Sequence, residues 1–553
     1  MALNETSDLW WKNAIVYCLD VETYLDADGD GVGDFKGLIR QIDYLAGLGV
    51  TCLWLMPFYP SPGRDDGYDV SDFFGVDSRL GNLGDFVEFV RTAGDRGIKV
   101  IVDLVVNHTS DRHLWFQSAR EDPKSPYRSY YVWRDQPSDQ PKGLAFPDRE
   151  TSNWQRESKT GQYYLHRFYR FQPDLNVANP AVRDEIAKVV GFWLALGVSG
   201  FRMDAVPFML ETEGLVEEVE GDPQRWLRSL RAFAGRRRGE AMLLGEVNTA
   251  LKDLARYFGD EDGDQLNMQF AFMLNQQLWL SLAREEAEPL ESIIRSLPEV
   301  PPENAWATFL RNHDELSLDK LTGPQREEVF AAFGPDSGMQ LYGHGLRRRT
   351  AAMLGGDGPR LRMAWSLMLS LAGTPVMFMG DEIGMGENLA IPDRMSVRVP
   401  MQWSQGRNGG FSSARKADLV RPMTTGKLGF KHVNVAAQRR DPDSLLNWME
   451  RLIRRRKETP EFGWGTSSLI ETAAPELFAH RCEWQGSTVI AVHNLSSKPA
   501  KATLELGAGG KKAVVNDLLE DRDHAVKGDG TLDVALDGYG YLWLRVLPPA
   551  STR

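Results

Sequence analysis

A chain of 553 residues, 42% hydrophobic and 25% charged, has enough apolar mass for one large core with smaller domains attached. Its formal net charge of -13, with no basic domain to offset it, argues against nucleic acid as a partner; the short run Arg236 to Arg238 lies among acidic helical stretches and reads as a solvated helix end. The longest apolar stretch, about Met363 to Met379, is broken by Ser366, Gly373 and Pro375, so it is expected to be a buried helix turning into a strand and not a membrane span.

The start, Met1 to Lys12, shows no signal pattern of charged then apolar residues. Short apolar runs then alternate with amphipathic stretches. Strands are predicted at Ile15–Leu19, Thr51–Met56, Val100–Val105, Gly200–Asp204, Met242–Glu246, weakly at Met268–Met273, at Trp306–Leu310 and at Pro375–Met379. Helical patterns fill Asp34–Leu48, Leu83–Asp95 and Pro180–Leu196. Eight strand-then-helix units predict an α/β fold, a (β/α)8 TIM barrel, in which reactive side chains gather at the C-terminal ends of the strands.

Two regions break the alternation. Residues 108–175 are rich in aromatic, proline and charged residues and too long for a βα loop, so they are expected to form an inserted irregular domain after strand 3, between barrel segments 1–107 and 176–460. From 461 to 553 short strands and turns, such as Thr488–His493 and Tyr541–Val546, predict a C-terminal antiparallel β domain. Cys18, Cys52 and Cys482 have neither zinc nor redox spacing; buried thiols in a reducing, cytoplasmic compartment are expected.

Three carboxylates close predicted barrel strands: Asp204 in Gly200 to Ala205, Glu246 in Leu243 to Val247, and Asp314 in Phe309 to Asp314. Carboxylates set this way suit glycoside cleavage, in which one attacks the sugar carbon and another protonates the departing oxygen. Any one of them alone is more often a loop cap or an ion-pair member. The strength of the pattern is that all three stand together at strand ends.

These segments, with Asp103 to His108, Arg311 to Glu315 and Gln172 to Asn176, resemble glycoside hydrolase family 13, the α-amylase family. Trp54 to Pro62, Arg64 to Asp69, Gly380 to Gly386 and Arg398 to Trp403 are similar to its maltose-converting trehalose synthases over nearly the whole chain. The resemblance implies Asp204 as nucleophile, oriented by Arg202 two residues earlier on the same strand face, Glu246 as acid/base, and Asp314 as a binder of sugar hydroxyls with His108 and His313. Retention in such enzymes places nucleophile and acid roughly 5–5.5 Å apart. By the same resemblance Tyr68 stacks on the non-reducing glucose, Asp65 pairs with Arg398 to close the far end of that subsite, and Phe146, Gln172 and Asn248 join the substrate pocket. The small-molecule substrate is a disaccharide and no cofactor takes part in catalysis; homo-oligomerisation stays open.

Asp26, Asp28, Asp30 and Asp34, with the Val32 carbonyl, resemble the start of a calcium loop without the bidentate Glu of an EF-hand, so a structural Ca2+ or Mg2+ is expected. Resemblance implies a second ion at Asn107, Asp174, Glu211 and the carbonyls of Phe208 and Met209. One departure stands out. Where the trehalose synthases place an Arg three residues before Phe146, this chain has Gly143, beside Lys142. That Arg helps close the pocket with the residue at Asn248, so its loss favours hydrolysis, and an α-glucosidase or transglucosidase is the rival activity. Outside enzymes the alternative is a binding subunit that has lost its acids, against which stand the intact Asp204, Glu246 and Asp314.

Overall fold

The computed structural model describes residues 9–137, 144–146, 149–210, 224–260, 262–507 and 513–547. In chain order the strands are β1 (Val16–Leu19), β2 (Cys52–Leu55), β3 (Lys99–Leu104), then β4 (Trp133–Arg134), β5 (Trp154–Arg156) and β6 (Tyr163–Leu165) of the insert, then β7 (Gly200–Met203), β8 (Met242–Gly245), β9 (Met268–Phe270) and β10 (Ala305–Thr308). Three short strands follow, β11 (Leu316–Ser317), β12 (Gln340–Leu341) and β13 (Gly345–Leu346), before β14 (Thr374–Phe378). Eight of these close into a parallel barrel in the order β1-β14-β10-β9-β8-β7-β3-β2. Every predicted barrel strand is there, within two or three residues at each end. These strands are buried along nearly their whole length, which is why the sequence shows continuous apolar runs and not alternation.

Close approach of neighbouring strands explains one obligatory glycine. A Cβ at Gly200 would lie 2.1 Å from the Met242 carbonyl, so only glycine lets β7 and β8 pair in the register Gly200↔Met242, which brings Asp204 and Glu246 out at the same rim. The outer helices Leu83–Gly94 and Pro180–Ala195 match the sequence reading, the first opened by a capping box between Asn82 and Asp85. The predicted Asp34–Leu48 helix is divided at Gln41 into Phe35–Arg40 and Ile42–Leu48, because Gln41 leaves helical geometry at φ -103°, ψ 7°.

The insert carries an antiparallel sheet in the order β4-β6-β5, so it is more regular than the sequence suggested. Bridges His108↔Asp174 and Tyr131↔Leu175 hold the two ends of the insert side by side over the barrel rim. Two further excursions escaped the sequence reading. One is the β11-β13-β12 sheet after β10; the other runs from β14 to the helix Leu445–Lys457 through short 3-10 turns.

The C-terminal strands are β15 (Thr466–Leu469), β16 (Leu477–Trp484), β17 (Ser487–Asn494), β18 (Ala500–Glu505), β19 (Val514–Asp517), β20 (Arg522–His524), β21 (Thr531–Leu536) and β22 (Tyr541–Leu547). They form a sheet β15-β16-β17-β22-β19-β20 and a pair β18-β21. Alternation splits the large sheet's faces. Phe478, Cys482, Val489, Ala491 and Trp543 join the barrel's core, whereas Leu477, Ala479, Ile490 and Leu544 build a second core under β18-β21. At the barrel face, on the helix Gly358–Ser370, the Ser366 hydroxyl accepts from Trp543 Nε1 at 3.0 Å and lies 2.9 Å from His493 Nε2. All three cysteines are buried free thiols, and among the described residues no helix is long and apolar enough to cross a membrane.

Candidate active site

Asp204 is the residue after β7 and Glu246 the residue after β8, so both leave the barrel at its C-terminal rim. Arg202, buried inside β7, reaches them both. Its Nη1 donates to Asp204 Oδ1 and to Asp103 Oδ1, each at 2.6 Å, and its Nη2 stands 3.0 Å from Glu246 Oε2. A second tie is the Ala205 amide, which donates to Glu246 Oε2 at 2.9 Å. Ala205 makes that bond in the left-handed region at φ 49°, a conformation that costs a non-glycine residue about 1 kcal/mol or more and persists where surrounding contacts fix it.

Burial sets the proton affinities here. It pushes Glu246 up to about 7 and Asp204 up to about 6, against the pull of Arg202; the Asp204 charge also raises Glu246, and the Asp103 and Asp314 charges raise Asp204. Asp103 is likewise pushed up to about 6 by burial. Asp314 goes the other way. Burial opposes its charge, but His313, Arg394 and Arg398 together hold it well below the usual carboxylate range. The rim therefore separates a carboxyl suited to carry a proton near neutrality from one that stays ionised.

Asp65, Asp66, Gly67 and Tyr68 form the turn after β2. Gly67 is required there: φ is 91° and a Cβ would lie 2.5 Å from the Pro57 carbonyl. The turn buries the Tyr68 ring parallel to His313, with centroids 5.7 Å apart, and the Tyr68 hydroxyl 2.6 Å from His313 Nε2. That nitrogen is also 3.0 Å from Asp314 Oδ2, and burial lowers the imidazole to about 4, so the contact is a hydrogen bond of a neutral ring. His108 Nε2 donates to the Tyr68 carbonyl at 3.1 Å. Gln172 Nε2 donates to Asp65 Oδ2 at 2.9 Å, linking the insert to the turn.

The expected Asp65–Arg398 pair is not formed. Arg394 takes Asp65 instead, with Nη2 to Asp65 Oδ1 at 2.7 Å and Nη1 to Asp314 Oδ1 at 2.8 Å. Arg398 Nη1 lies 2.8 Å from Asp66 Oδ2 and its Nη2 2.7 Å from Asp314 Oδ1. The physical reason is the turn itself. Asp66 sits at φ 54°, which directs the two adjacent carboxylates to different cations, and Arg421 also pairs with Asp66. Arg394, Asp66 and Arg421 were invisible as site residues because no periodicity or motif marks them; the doubled Asp65-Asp66 was the one available hint that two cations were needed.

Phe146, within the insert, packs against Tyr169 and Tyr342, at centroid distances of 4.7 and 4.9 Å, and over the Arg394 guanidinium at 5.3 Å. Asn248 donates from Nδ2 to Asp319 at 3.2 and 3.3 Å, and its Oδ1 is buried without a hydrogen-bond partner. Lys142 and Gly143 lie outside the described residues.

Of the first predicted ion site, Asp26, Asp28 and Asp34 each bring one oxygen within 4.8 Å of the others, a donor set that suits a hard cation. Asp30 lies outside that group; its Oδ1 accepts from the Val32 amide at 2.8 Å, as Asp26, Asp28 and Asp34 also accept backbone amides of the loop. At the second, Asn107 Nδ2 approaches Asp174 Oδ1 at 3.4 Å, while Arg167 Nη1 donates to the Phe208 carbonyl at 2.5 Å and lies 3.3 Å from Asp174 Oδ2. That cluster already holds a guanidinium. Met209 is buried, and Glu211 lies outside the described residues.

Comparison with known proteins agrees with this geometry. Residues 21–332 and 337–465 match the family described as "Alpha amylase, catalytic domain", and residues 486–545 match "Sucrose hydrolase-like, C-terminal domain". The chain is 38% identical to the trehalose synthase of Pimelobacter sp., covering 98% of this chain and 97% of the relative, and 39% identical to the trehalose synthase/amylase TreS of Mycobacterium tuberculosis, covering 97% and 90%. The crystal structure of the α-amylase from H. orenii superposes with a TM-score of 0.77 at 28% identity, covering 97% of this chain and 99% of that one. With a closed eight-stranded barrel, paired acids at its C-terminal rim and a match over most of its length, the chain belongs to the α-amylase family.

Proposed function

We propose that this enzyme is a retaining α-glucoside transglucosidase that converts maltose to trehalose within one enclosed pocket. The observation that carries the reading is Arg394 spanning Asp65 and Asp314, because two buried ion pairs beside the catalytic carboxylates would close the far end of the site, as an enzyme taking one non-reducing glucose from a disaccharide requires. The full-length likeness to proteins named trehalose synthase supports the same substrate class.

In this mechanism an Asp204 carboxylate oxygen attacks C1 of the non-reducing glucose, and the C1–oxygen bond to the second glucose breaks. Glu246 supplies the proton to the departing oxygen, which its elevated proton affinity favours. Asp314, ionised, and the neutral His313 bind the ring hydroxyls with His108, and Tyr68 stacks beneath the ring. The freed glucose turns over, Glu246 removes the proton of its anomeric hydroxyl, and that oxygen displaces Asp204 from C1. Bond energy is conserved in the glucosyl-Asp204 ester, so no cofactor enters the cycle. A Ca2+ or Mg2+ at Asp26, Asp28 and Asp34 would brace the loop after β1, away from the reacting atoms. The three buried free thiols are in keeping with a cytoplasmic enzyme.

Hydrolysis is the rival, favoured by Gly143 in place of a bridging Arg and by the unpartnered Asn248 Oδ1. Product analysis decides between them: trehalose as the major product from maltose supports isomerisation, and glucose alone overturns it.

A further inference from the structure

We infer that Arg149 and Asp393 are a specificity-determining pair that fixes the insert over the glucose site and thereby sets how the glucosyl-enzyme divides between sugar and water. The inference rests on the transglucosidase reading above. Arg149, in the insert, and Asp393, in the excursion after β14, form an ion pair across 244 positions of sequence.

The pair is built into the site from both sides. On the insert, the Arg149 and Glu150 amides donate to the Phe146 carbonyl at 2.9 and 3.0 Å, so one turn carries both the Phe146 ring and the Arg149 cation. On the opposite wall, Asp393 immediately precedes Arg394, whose guanidinium holds Asp65 and Asp314 and lies against that same Phe146 ring. Two neighbours of one turn thus meet two consecutive residues of the other, an ion pair outside and a cation–π contact inside.

Asp393 adopts φ 51°, a strained position for a non-glycine residue, and the strain is held by specific contacts. Arg347 donates to the carbonyls of Leu389, Ile391 and Asp393 at 2.7, 3.0 and 3.3 Å, anchoring this wall from within. Since Arg347 anchors this wall, the Arg149–Asp393 contact sets the position of the turn that carries Phe146 relative to it. It does so at an accessible place: the side chains are 48% and 28% exposed, so dissolved salt reaches the pair while the buried Arg394 and Arg398 pairs are shielded. Arg149 touches neither Asp204 nor Glu246 and is a positioning residue.

The test is the glucose-to-trehalose ratio formed from maltose by the full chain and by Arg149→Ala and Arg149→Lys, each measured from about 20 mM to about 0.5 M NaCl. In the unaltered enzyme the ratio should rise with salt. Arg149→Ala should start with a ratio about two- to fivefold higher, be nearly insensitive to salt and melt at an unchanged temperature, because an exposed pair is weak in stability terms. Arg149→Lys should behave as the unaltered enzyme. An Arg149→Ala ratio equal to the unaltered one at low salt, or one with the same salt response, overturns the inference. Formation of no trehalose by the unaltered enzyme overturns the functional reading instead, and the pair is then judged by the same variants on the division of glucosyl groups between water and added glucose acceptor.

Discussion

Arg202 Nη2 stands 3.0 Å from Glu246 Oε2 while Nη1 of the same guanidinium holds Asp204, so two carboxylates with different assigned tasks share one cation. That cation keeps Asp204 dissociable in spite of its burial. It does not suffice to ionise Glu246 fully at neutral pH, because the charged Asp204 adds to the cost of desolvation.

A bell-shaped dependence of kcat/KM on pH is expected from this arrangement. The active form has Asp204 charged and Glu246 protonated. Activity should therefore rise as pH passes about 6, where Asp204 loses its proton, and fall as it passes about 7, where Glu246 does. The Asp204 charge raises Glu246, so the alkaline limb should shift with the ionisation of Asp204. A flat profile up to pH 9 would contradict Glu246 as the acid.

Asp204→Asn should fold normally and lose turnover by several orders of magnitude, since the covalent route is removed. Trapping with a slow fluoro-glucosyl substrate, followed by mass analysis of peptides, should label Asp204 in the unaltered enzyme and nothing in the variant.

Glu246→Gln should separate the two half-reactions. Disaccharides, whose leaving group needs a proton, should turn over at least about a hundredfold more slowly. An α-glucosyl fluoride, whose leaving group does not, should still glucosylate the enzyme, with the alkaline limb gone.

Removing either arginine at the closed end should have different consequences. Arg394→Ala opens the end next to Asp65 and should raise KM for maltose and admit longer glucans; internal cleavage of starch, read as a rapid viscosity drop, should stay absent in the unaltered enzyme. Arg398→Ala leaves Asp66 and Asp314 short of a buried partner and should destabilise the fold by about 3–5 kcal/mol, as loss of one member of a buried pair does. Equal melting temperatures for the two variants would show that Arg398 has no greater structural weight.

Chelation of divalent ions should lower the melting temperature by a few degrees without changing the ratio of products, with Asp34→Asn abolishing the response. A loss of catalysis at unchanged stability would place the ion in the chemistry, contrary to its expected position at Asp26, Asp28 and Asp34.

What could be read from the sequence follows from what repeats in it. Barrel strands buried on both faces leave apolar runs, and Asp204 and Glu246 were legible because each directly follows such a run; Asp314 stands six residues beyond β10, past Arg311, Asn312 and His313, and was legible through the motif Arg311 to Glu315. The residues that shape the pocket's end are different. Arg394 and Asp66 reach the site from irregular segments, and their partners are chosen by backbone geometry at Asp66 and Asp393 that no side-chain pattern encodes. The Asp65–Arg398 pairing failed for that reason: sequence supplied the right charges but could not say which carboxylate of an adjacent pair would face which cation.

The seam between the barrel and the large C-terminal sheet bears on how this chain can be rearranged. Trp543 and His493 meet Ser366 inside a continuous core, so a chain cut near residue 465 would leave the helix Gly358–Ser370 with an uncovered apolar face and an orphaned hydroxyl directly behind β14. The C-terminal sheet is therefore no detachable module, and an exchange of that region between relatives would have to carry matching changes in the helix. The outer pair β18-β21, which packs only on the second core, is the place where length and sequence can drift, or a foreign segment be accepted, without disturbing the barrel.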